Sequence, residues 1–242
     1  LIAFKDLNEK ISAGEYLQLI DNKIDQILSE NKSPILCGGT GLYFKTLVEG
    51  IFSGSHTNEV IRKRLEQEYE SDKDKLFNKL KEIDPIYSEK VHINNKKRLV
   101  RALEVFETTG KPMSENFDLI SKASKYTDDY CFVYLQMKNH LLHPRIRKRI
   151  EFMINNGMIE EVKEIINKKI DISHIDYIGF KELSLFINNK ISVEQAIENI
   201  FIRTRQYAKR QNKWFSANRY DINFDLENFP SNDIVDKLIQ IN

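Results

Sequence analysis

Residues Ser33-Pro34-Ile35-Leu36-Cys37-Gly38-Gly39-Thr40-Gly41-Leu42-Tyr43 decide the fold class. Ser33 to Cys37 read as a short apolar strand, and Leu42, Phe44, Leu47 and Val48 recur at helical spacing until Gly50 stops the run. Between them lies Gly38-Gly39-Thr40-Gly41. A strand, a glycine turn and a helix are the unit of a parallel α/β sheet. Such a turn points backbone N–H groups out of the helix start, its glycines let a ligand approach the main chain, and Thr40 adds a hydroxyl. Gly38, Gly39 and Thr40 are therefore candidates for binding a phosphate or diphosphate. The same tetrapeptide also suits a tight strand-to-helix connection in any α/β protein, and the residues alone do not separate the two readings.

Upstream, Ser12-Ala13-Gly14-Glu15 has the form of a capping box and opens a helix to Glu30, with Tyr16, Leu19, Ile20, Ile24, Ile27 and Leu28 at helical spacing. Downstream the character changes. From about Asn58 to Lys125 the chain reads as charged helices: Glu59 to Glu70, Lys75 to Ile83, a turn begun by Pro85, and Asn95 to Thr109 closed by Gly110. No strand pattern occurs in that block. Tyr130-Cys131-Phe132-Val133-Tyr134-Leu135 restores β character, which makes the block a helical insertion in an α/β core. Helices follow at Arg145 to Asn156, ended by Gly157, near Glu160 to Lys168, and from a cap at Ser192 to about Phe215. A short possible strand and a closing helix come after Tyr220. The expected division is residues 1–55 and 127–219 for the core, 56–126 for the insertion and 220–242 for a C-terminal tail.

At 242 residues, 41% hydrophobic and 30% charged, the chain can bury a sizeable core and is not a disordered polypeptide. No run approaches the roughly 18 apolar residues of a membrane span, and the start lacks the charged-then-apolar order of a signal peptide. A cytoplasmic monomer without membrane contact is expected. Cys37 and Cys131 lie in apolar segments with no partner at metal-ligand spacing and read as buried, reduced thiols. The net charge of +1 excludes a globally basic nucleic-acid coat but not local clusters. Neither H-E-x-x-H nor G-x-S-x-G occurs, so metal hydrolysis and serine-nucleophile chemistry have no support.

Three clusters of cations stand out. Arg145, Lys148 and Arg149 share a face at i, i+3, i+4, opposite Ile146, Ile150 and Met153, and guanidinium groups suit phosphate oxygens. Lys96, Lys97, Arg98 and Arg101 open a helix whose Leu99, Ala102, Leu103 and Phe106 turn inward, leaving a cationic edge fit for a nucleic-acid backbone. On the last long helix Arg203, Arg205, Lys209, Arg210 and Lys213 interleave with Gln206, Tyr207, Gln211, Trp214 and Phe215, mixing cations with stacking and hydrogen-bonding groups. Each cluster also fits an ordinary solvated face, and Trp214 and Phe215 also fit core anchors. Together with the glycine turn they favour a phosphate or nucleic-acid ligand without naming a reaction.

The ordered set Pro34 to Tyr43, Arg98-Leu99-Val100-Arg101-Ala102-Leu103-Glu104-Val105, Thr109-Gly110-Lys111-Pro112, Ile178-Gly179-Phe180-Lys181 and Tyr207-Ala208-Lys209-Arg210-Gln211 resembles the tRNA dimethylallyltransferase (isopentenyltransferase) family, over roughly residues 1 to 217. The resemblance implies a P-loop-kinase-like α/β core, a nucleotide- and ATP-binding type of fold, with an inserted helical domain that grips the tRNA anticodon stem-loop. It implies transfer of a dimethylallyl group from dimethylallyl diphosphate to the exocyclic amine of the adenine 3′ of the anticodon, with Mg2+ assisting diphosphate departure. The base would be drawn from its stack, as by other enzymes that act on bases. Carried over by position, Thr40 resembles the threonine that orients the diphosphate and the reacting base. Arg149, with Arg145 beside it, resembles an arginine on the diphosphate, and Arg62 an arginine near the tRNA. The stretches Lys97 to Arg101, Asp176 to Lys181 and Lys209 to Ser216 would face tRNA, which makes Lys97, Arg98, Arg101, Gly179, Lys181, Lys209, Arg210, Gln211 and Trp214 the binding candidates.

Some positions depart from the family pattern. Members open with a strand and a G-x-x-x-x-G-K-[ST] loop, then an aspartate that accepts a hydrogen bond from the target amine, and no such loop occurs in this sequence. The first strand and P-loop are thus expected to be missing, with the segment inactive and poorly stable by itself. Asn95 stands where the family usually has aspartate, Lys213 where it usually has threonine, and Ser216-Ala217 where an arginine often follows the aromatic pair. Two other readings share these residues: an inactive relative that only binds tRNA, and an adenine-nucleotide prenyltransferase.

Overall fold

Ser12 starts the first helix as its capping box requires: its side chain accepts the Glu15 N–H while the Glu15 carboxylate accepts the Ser12 N–H. The computed structural model describes residues 5–7, 9, 11–52, 57–116, 120–121, 124–126, 129–168, 177–218, 220–229 and 231–239. By contacts it divides into two units that interleave along the chain. One comprises Ser12–Pro34 and Leu42–Asp128, the other Leu1–Ile11, Ile35–Gly41 and Asp129–Asn242.

In the first unit, α1 (Ala13–Ser29) buries Leu17, Ile20 and Ile24, and α2 (Gly41–Glu49) buries Thr46 and Leu47. Tyr16 and Tyr43 stack with ring centroids 3.9 Å apart. The charged helices then follow with short polar caps. Asn58 caps α3 (Glu59–Ser71), Asp72 caps α4 (Lys73–Ile83), Asp84 caps α5 (Pro85–Ser88) and Asn95 caps α6 (Lys96–Thr109). Each cap oxygen accepts N–H groups that the first helical turn leaves without partners. Leu65, Leu76, Leu80, Val91, Leu99, Val100, Ala102 and Leu103 form the core between these helices. Burying that many aliphatic side chains, at about 1.5–3 kcal/mol each, offsets the helices' high surface charge. After α7 (Met113–Asn116), β2 (Ile120–Ser121) pairs antiparallel with β1 (Ile51–Phe52). The expectation of a strandless insertion therefore fails at Ile120–Ser121, where a ladder of two residues per strand is too short for period-2 patterning to register.

In the second unit α8 (Asn139–Asn155), α9 (Met158–Asn167), α10 (Phe180–Ile187) and α11 (Val193–Phe215) pack around Ile146, Ile150, Val162, Leu183, Ala196 and Ile200. The expected helix at Arg145 begins six residues earlier, at Asn139, with Pro144 accommodated inside it. Strand β3 (Val133–Gln136) lies parallel to β4 (Ile222–Asp225), in the register Val133 to Ile222 and Gln136 to Asp225. Phe224 of β4 and Ile234 of α12 (Ser231–Ile239) are buried, so residues 220–242, read as a tail, contribute apolar cover and a ladder partner.

Two further expectations are corrected. Ser33–Cys37 joins no ladder among the described residues, and Ile35 is 88% exposed. A strand is stable only through a neighbouring strand's N–H and C=O groups, which apolar composition does not supply. Cys37 and Cys131 are exposed. Apolar neighbours in sequence bury a side chain only where the segment is covered on both faces. The α/β class holds in its coarser form: a mostly helical protein with a small parallel ladder.

Candidate functional site

The Gly38–Gly41 turn lies against the C-terminal half of α11. Gln211 Nε2 donates to the Gly39 carbonyl at 2.9 Å. A Cβ on Gly39 would stand 2.0 Å from that nitrogen, and one on Gly41 would stand 2.3 Å from Cδ2 of the Trp214 ring. Glycine is therefore needed at position 41 for helix α11 to approach and at position 39 for the Gln211 carboxamide to reach the main chain, packing reasons independent of any anion. Gly38 and Thr40 remain exposed. The end of α11 is itself anchored. Trp214 meets Phe215 edge-on at 4.7 Å, Phe215 stacks on Tyr134 at 6.1 Å, and the Tyr134 hydroxyl donates to Asn212 Oδ1 at 2.8 Å. Trp214 and Phe215 thus serve as half-buried anchors, with the turn seated on them.

The basic face of α8 forms as its spacing predicts. Arg145, Lys148 and Arg149 are exposed, while Ile146 and Ile150 are buried. Arg147, between them, turns aside to Phe201, its guanidinium carbon 3.9 Å from the ring centroid, and pairs with Glu198 at 2.6 Å. On α11 Lys209, Arg210 and Lys213 are exposed, whereas Arg203 pairs with buried Glu182 at 2.7 Å. Gly179 is buried with φ 103°, donates its N–H to Glu182 at 2.9 Å, and has Met158 Cε 2.3 Å from where a Cβ would be. Its geometry is explained by packing. Lys181 is exposed and lines an open groove of about 440 Å³ with Glu182, Leu185, Asn199, Ile202 and Arg203. None of the turn residues lines that groove. Of the stretch Asp176 to Lys181, Asp176 lies outside the described residues.

The remaining candidates belong to the helical unit. Lys97 and Arg98 are exposed in the first turn of α6, which holds no acidic residue. Cations at the positive end of a helix dipole cost about 0.3–1 kcal/mol each, so helix stability does not explain them, and an anionic partner would. Arg62 and Arg101 both reach a buried carboxylate. Glu104, fully buried on α6, accepts from Arg62 Nη2 at 2.7 Å, Arg62 Nε at 3.2 Å and the Asn58 N–H at 2.9 Å, and pairs with Arg101 at 2.9 Å. Burial pushes its carboxyl up, but the hydrogen bonds from Arg62, Arg101 and Asn58 outweigh that and hold it below the ordinary glutamate value. Sequence reading missed Glu104 and Glu182. The available signal was a carboxylate on the apolar side of a helix, beside Leu103 and Val105, which demands a cationic partner.

Among the described residues no three carboxylates, imidazoles or thiolates stand together where they could hold a metal ion. Mg2+ needs no all-protein cage, because substrate phosphates and water supply most of its oxygens, and the exposed Thr40 hydroxyl is a protein oxygen available at the turn.

A family model described as IPP transferase matches residues 1–218. The chain belongs to the IPP transferase family. Similar curated members include the tRNA dimethylallyltransferase of Acetivibrio thermocellus, 38% identical over 224 residues, which cover 90% of this chain and 71% of that protein. The tRNA dimethylallyltransferase of Anoxybacillus flavithermus is 36% identical over 217 residues, covering 89% and 68%. Among solved structures, the full-length tRNA isopentenylpyrophosphate transferase of Bacillus halodurans aligns over 99% of this chain and 76% of its own, at 29% identity and a TM-score of 0.63. A eukaryotic dimethylallyltransferase acting on tRNA aligns over 98% and 64%, at 26% identity and a TM-score of 0.75. The IPP transferase match covers the glycine turn, Glu104 and α11, and leaves β4 and α12 beyond it.

Proposed function

We infer that this member of the IPP transferase family is a tRNA dimethylallyltransferase, an enzyme of tRNA modification. Its relatives' names carry that reading, together with the observation that the glycine turn and the basic end of α11 are joined at Gln211–Gly39 and Trp214–Gly41. The finer chemistry follows as part of the proposal. The exocyclic amine of the adenine 3′ of the anticodon forms a C–N bond to the allylic carbon of dimethylallyl diphosphate. The C–O bond to the diphosphate breaks, the diphosphate leaves with the electron pair, and the amine gives up one proton.

In that reaction the chain's residues would bind and orient. Exposed Gly38 and Thr40 offer main-chain N–H groups and one hydroxyl to the diphosphate. Arg149 and Arg145 supply planar guanidinium groups that suit phosphate oxygens. Exposed Lys209 and Arg210 on α11, and Lys97 and Arg98 on the helical unit, suit RNA phosphates, with Lys181 as a further cation and Arg62 and Arg101 held by Glu104. Gly179 would act through the shape of its turn. Mg2+, when a diphosphate brings it, would neutralise charge on the leaving group, with the Thr40 hydroxyl among the groups that would hold it. A P-loop-kinase-like core, the insertion boundaries at 56 and 126, cytoplasmic location and a monomeric state belong to the same proposal; among the described residues no helix is long and apolar enough to cross a membrane.

The test is transfer. The protein as the cell makes it is incubated with labelled dimethylallyl diphosphate and an anticodon stem-loop carrying adenine or guanine 3′ of the anticodon. Label in the adenine stem-loop alone supports the proposal. Label on free adenine nucleotide with none on RNA contradicts it.

A further inference from the structure

Gln211 and Gly39 are 172 residues apart in sequence, yet one hydrogen bond between them sets the direction of a peptide plane beside Thr40. Every described peptide bond is trans. In a trans peptide the C=O and the following N–H point in opposite directions within one rigid plane. The Gly39 carbonyl accepts from Gln211 and so faces α11. The Thr40 N–H must then point away from α11, and Thr40 is exposed. Trp214 against Gly41 restrains the other end of the turn. A glutamine on a basic helix would ordinarily be read as a base-contacting group, but this carboxamide is half-buried and turned into the protein.

We propose that Gln211 is a positioning residue for prenyl transfer: it pins the Gly39–Thr40 peptide so that the Thr40 N–H and hydroxyl face the diphosphate, and it does not read the RNA. This rests on the diphosphate reading of the turn. The side chain fits the task because its NH₂ donates to a carbonyl while remaining neutral, so it adds no charge that would itself recruit the ligand. Gly39 fits because no other residue leaves room for the carboxamide.

The experiment measures the KM for dimethylallyl diphosphate, kcat and the Kd for the anticodon stem-loop in five proteins: the parent, Gln211→Ala, Gln211→Glu, Gly39→Ala and the double variant Gly39→Ala with Gln211→Ala. Loss of one hydrogen bond should raise the diphosphate KM or lower kcat by about 3- to 12-fold in each single variant, with the stem-loop Kd unchanged. Gly39→Ala acts through the same contact, because its methyl meets only the end of a flexible side chain, so the double variant should be no worse than either single one. Should Gln211→Ala fail to fold by circular dichroism, Gln211→Glu and Gly39→Ala carry the same comparison. A weakened stem-loop Kd with an unchanged diphosphate KM would make Gln211 an RNA contact and overturn the proposal, as would additive losses in the double variant. Thr40→Val separates the two levels. If it raises the diphosphate KM while the Gln211 variants do not, only the positioning role falls. If neither does, the diphosphate reading of the turn has failed first.

Discussion

Glu104→Ala should loosen the α3–α6 pairing, and the structure fixes the scale. The carboxylate is 0% exposed and accepts three N–H bonds from Arg62 and Asn58 while pairing with Arg101. Removing one member of a fully buried ion pair costs about 3–5 kcal/mol because the other charge is stranded. Arg62 and Arg101 are each 31% exposed and can turn to water, which lowers that part to about 2 kcal/mol. The Asn58 N–H loses its acceptor at the cap of α3, adding about 1 kcal/mol. The sum is about 3 kcal/mol. Glu104→Gln keeps the volume and one acceptor oxygen and should cost about 1–2 kcal/mol. Urea unfolding followed by circular dichroism gives the total, and hydrogen exchange in α3 and α6 assigns it to this unit. A loss below about 1 kcal/mol for the alanine variant would refute the reasoning, since a carboxylate so placed would then contribute no net binding to its partners.

Other expectations follow from the same geometry. The Glu104 carboxyl binds its proton less readily in the native state than in the unfolded chain, whose value is about 4.5. Its stabilisation is therefore present at neutral pH, begins to fade as pH falls through that value and is lost below the native one; Glu104→Gln should flatten this acid limb of the stability curve. Gly41→Ala forces a methyl into the Trp214 ring and should cost about 1–3 kcal/mol in thermal unfolding. Lys209→Ala with Arg210→Ala should lower the slope of log affinity against log salt for a stem-loop by roughly 1.4, if each neutralises one loop phosphate. An unchanged slope would remove α11 from the RNA contact.

What could be read from the sequence was local. The Ser12 capping box and the Asn95 cap bond within three residues, and the Gly110 stop needs only a left-handed residue after the last helical turn, so each is written in a short window. The exposed face of α8 followed from spacing for the same reason. The start of α8 at Asn139 rather than Arg145 was a local miss, while the strand and burial misreadings were non-local. Ser33–Cys37 has strand composition, but a strand exists through its neighbour, and the parallel ladder instead joins Val133–Gln136 to Ile222–Asp225 across the whole of α8 to α11. Exposure of Cys37 and Cys131 depends on what covers their segments, which apolar neighbours do not disclose.

The candidate site shows the same division. Residue type and spacing singled out Gly39, Gly41-bearing turn geometry, Gln211 and Trp214 separately, as a turn and a helix face. That they meet is a tertiary fact, and it gives the glycines a packing role that residue type and spacing did not disclose. Arg62 and Arg101 carried the charge expected of an RNA edge, yet their partner is a glutamate on the inner side of α6. An acidic residue within an apolar helical stripe is the signal that would have located it.

Cys37 immediately precedes Gly38 and is exposed, which makes its thiol a reporter for prenyl diphosphate at the Gly38–Gly41 turn, with exposed Cys131 as an internal reference. The decisive measurement is the rate of alkylation of each thiol by iodoacetamide with and without saturating dimethylallyl diphosphate. Slower modification of Cys37 alone, with the protection lost in Thr40→Ala, is the predicted result. Equal rates at Cys37 with and without the diphosphate, under conditions where the protein turns over, would contradict it.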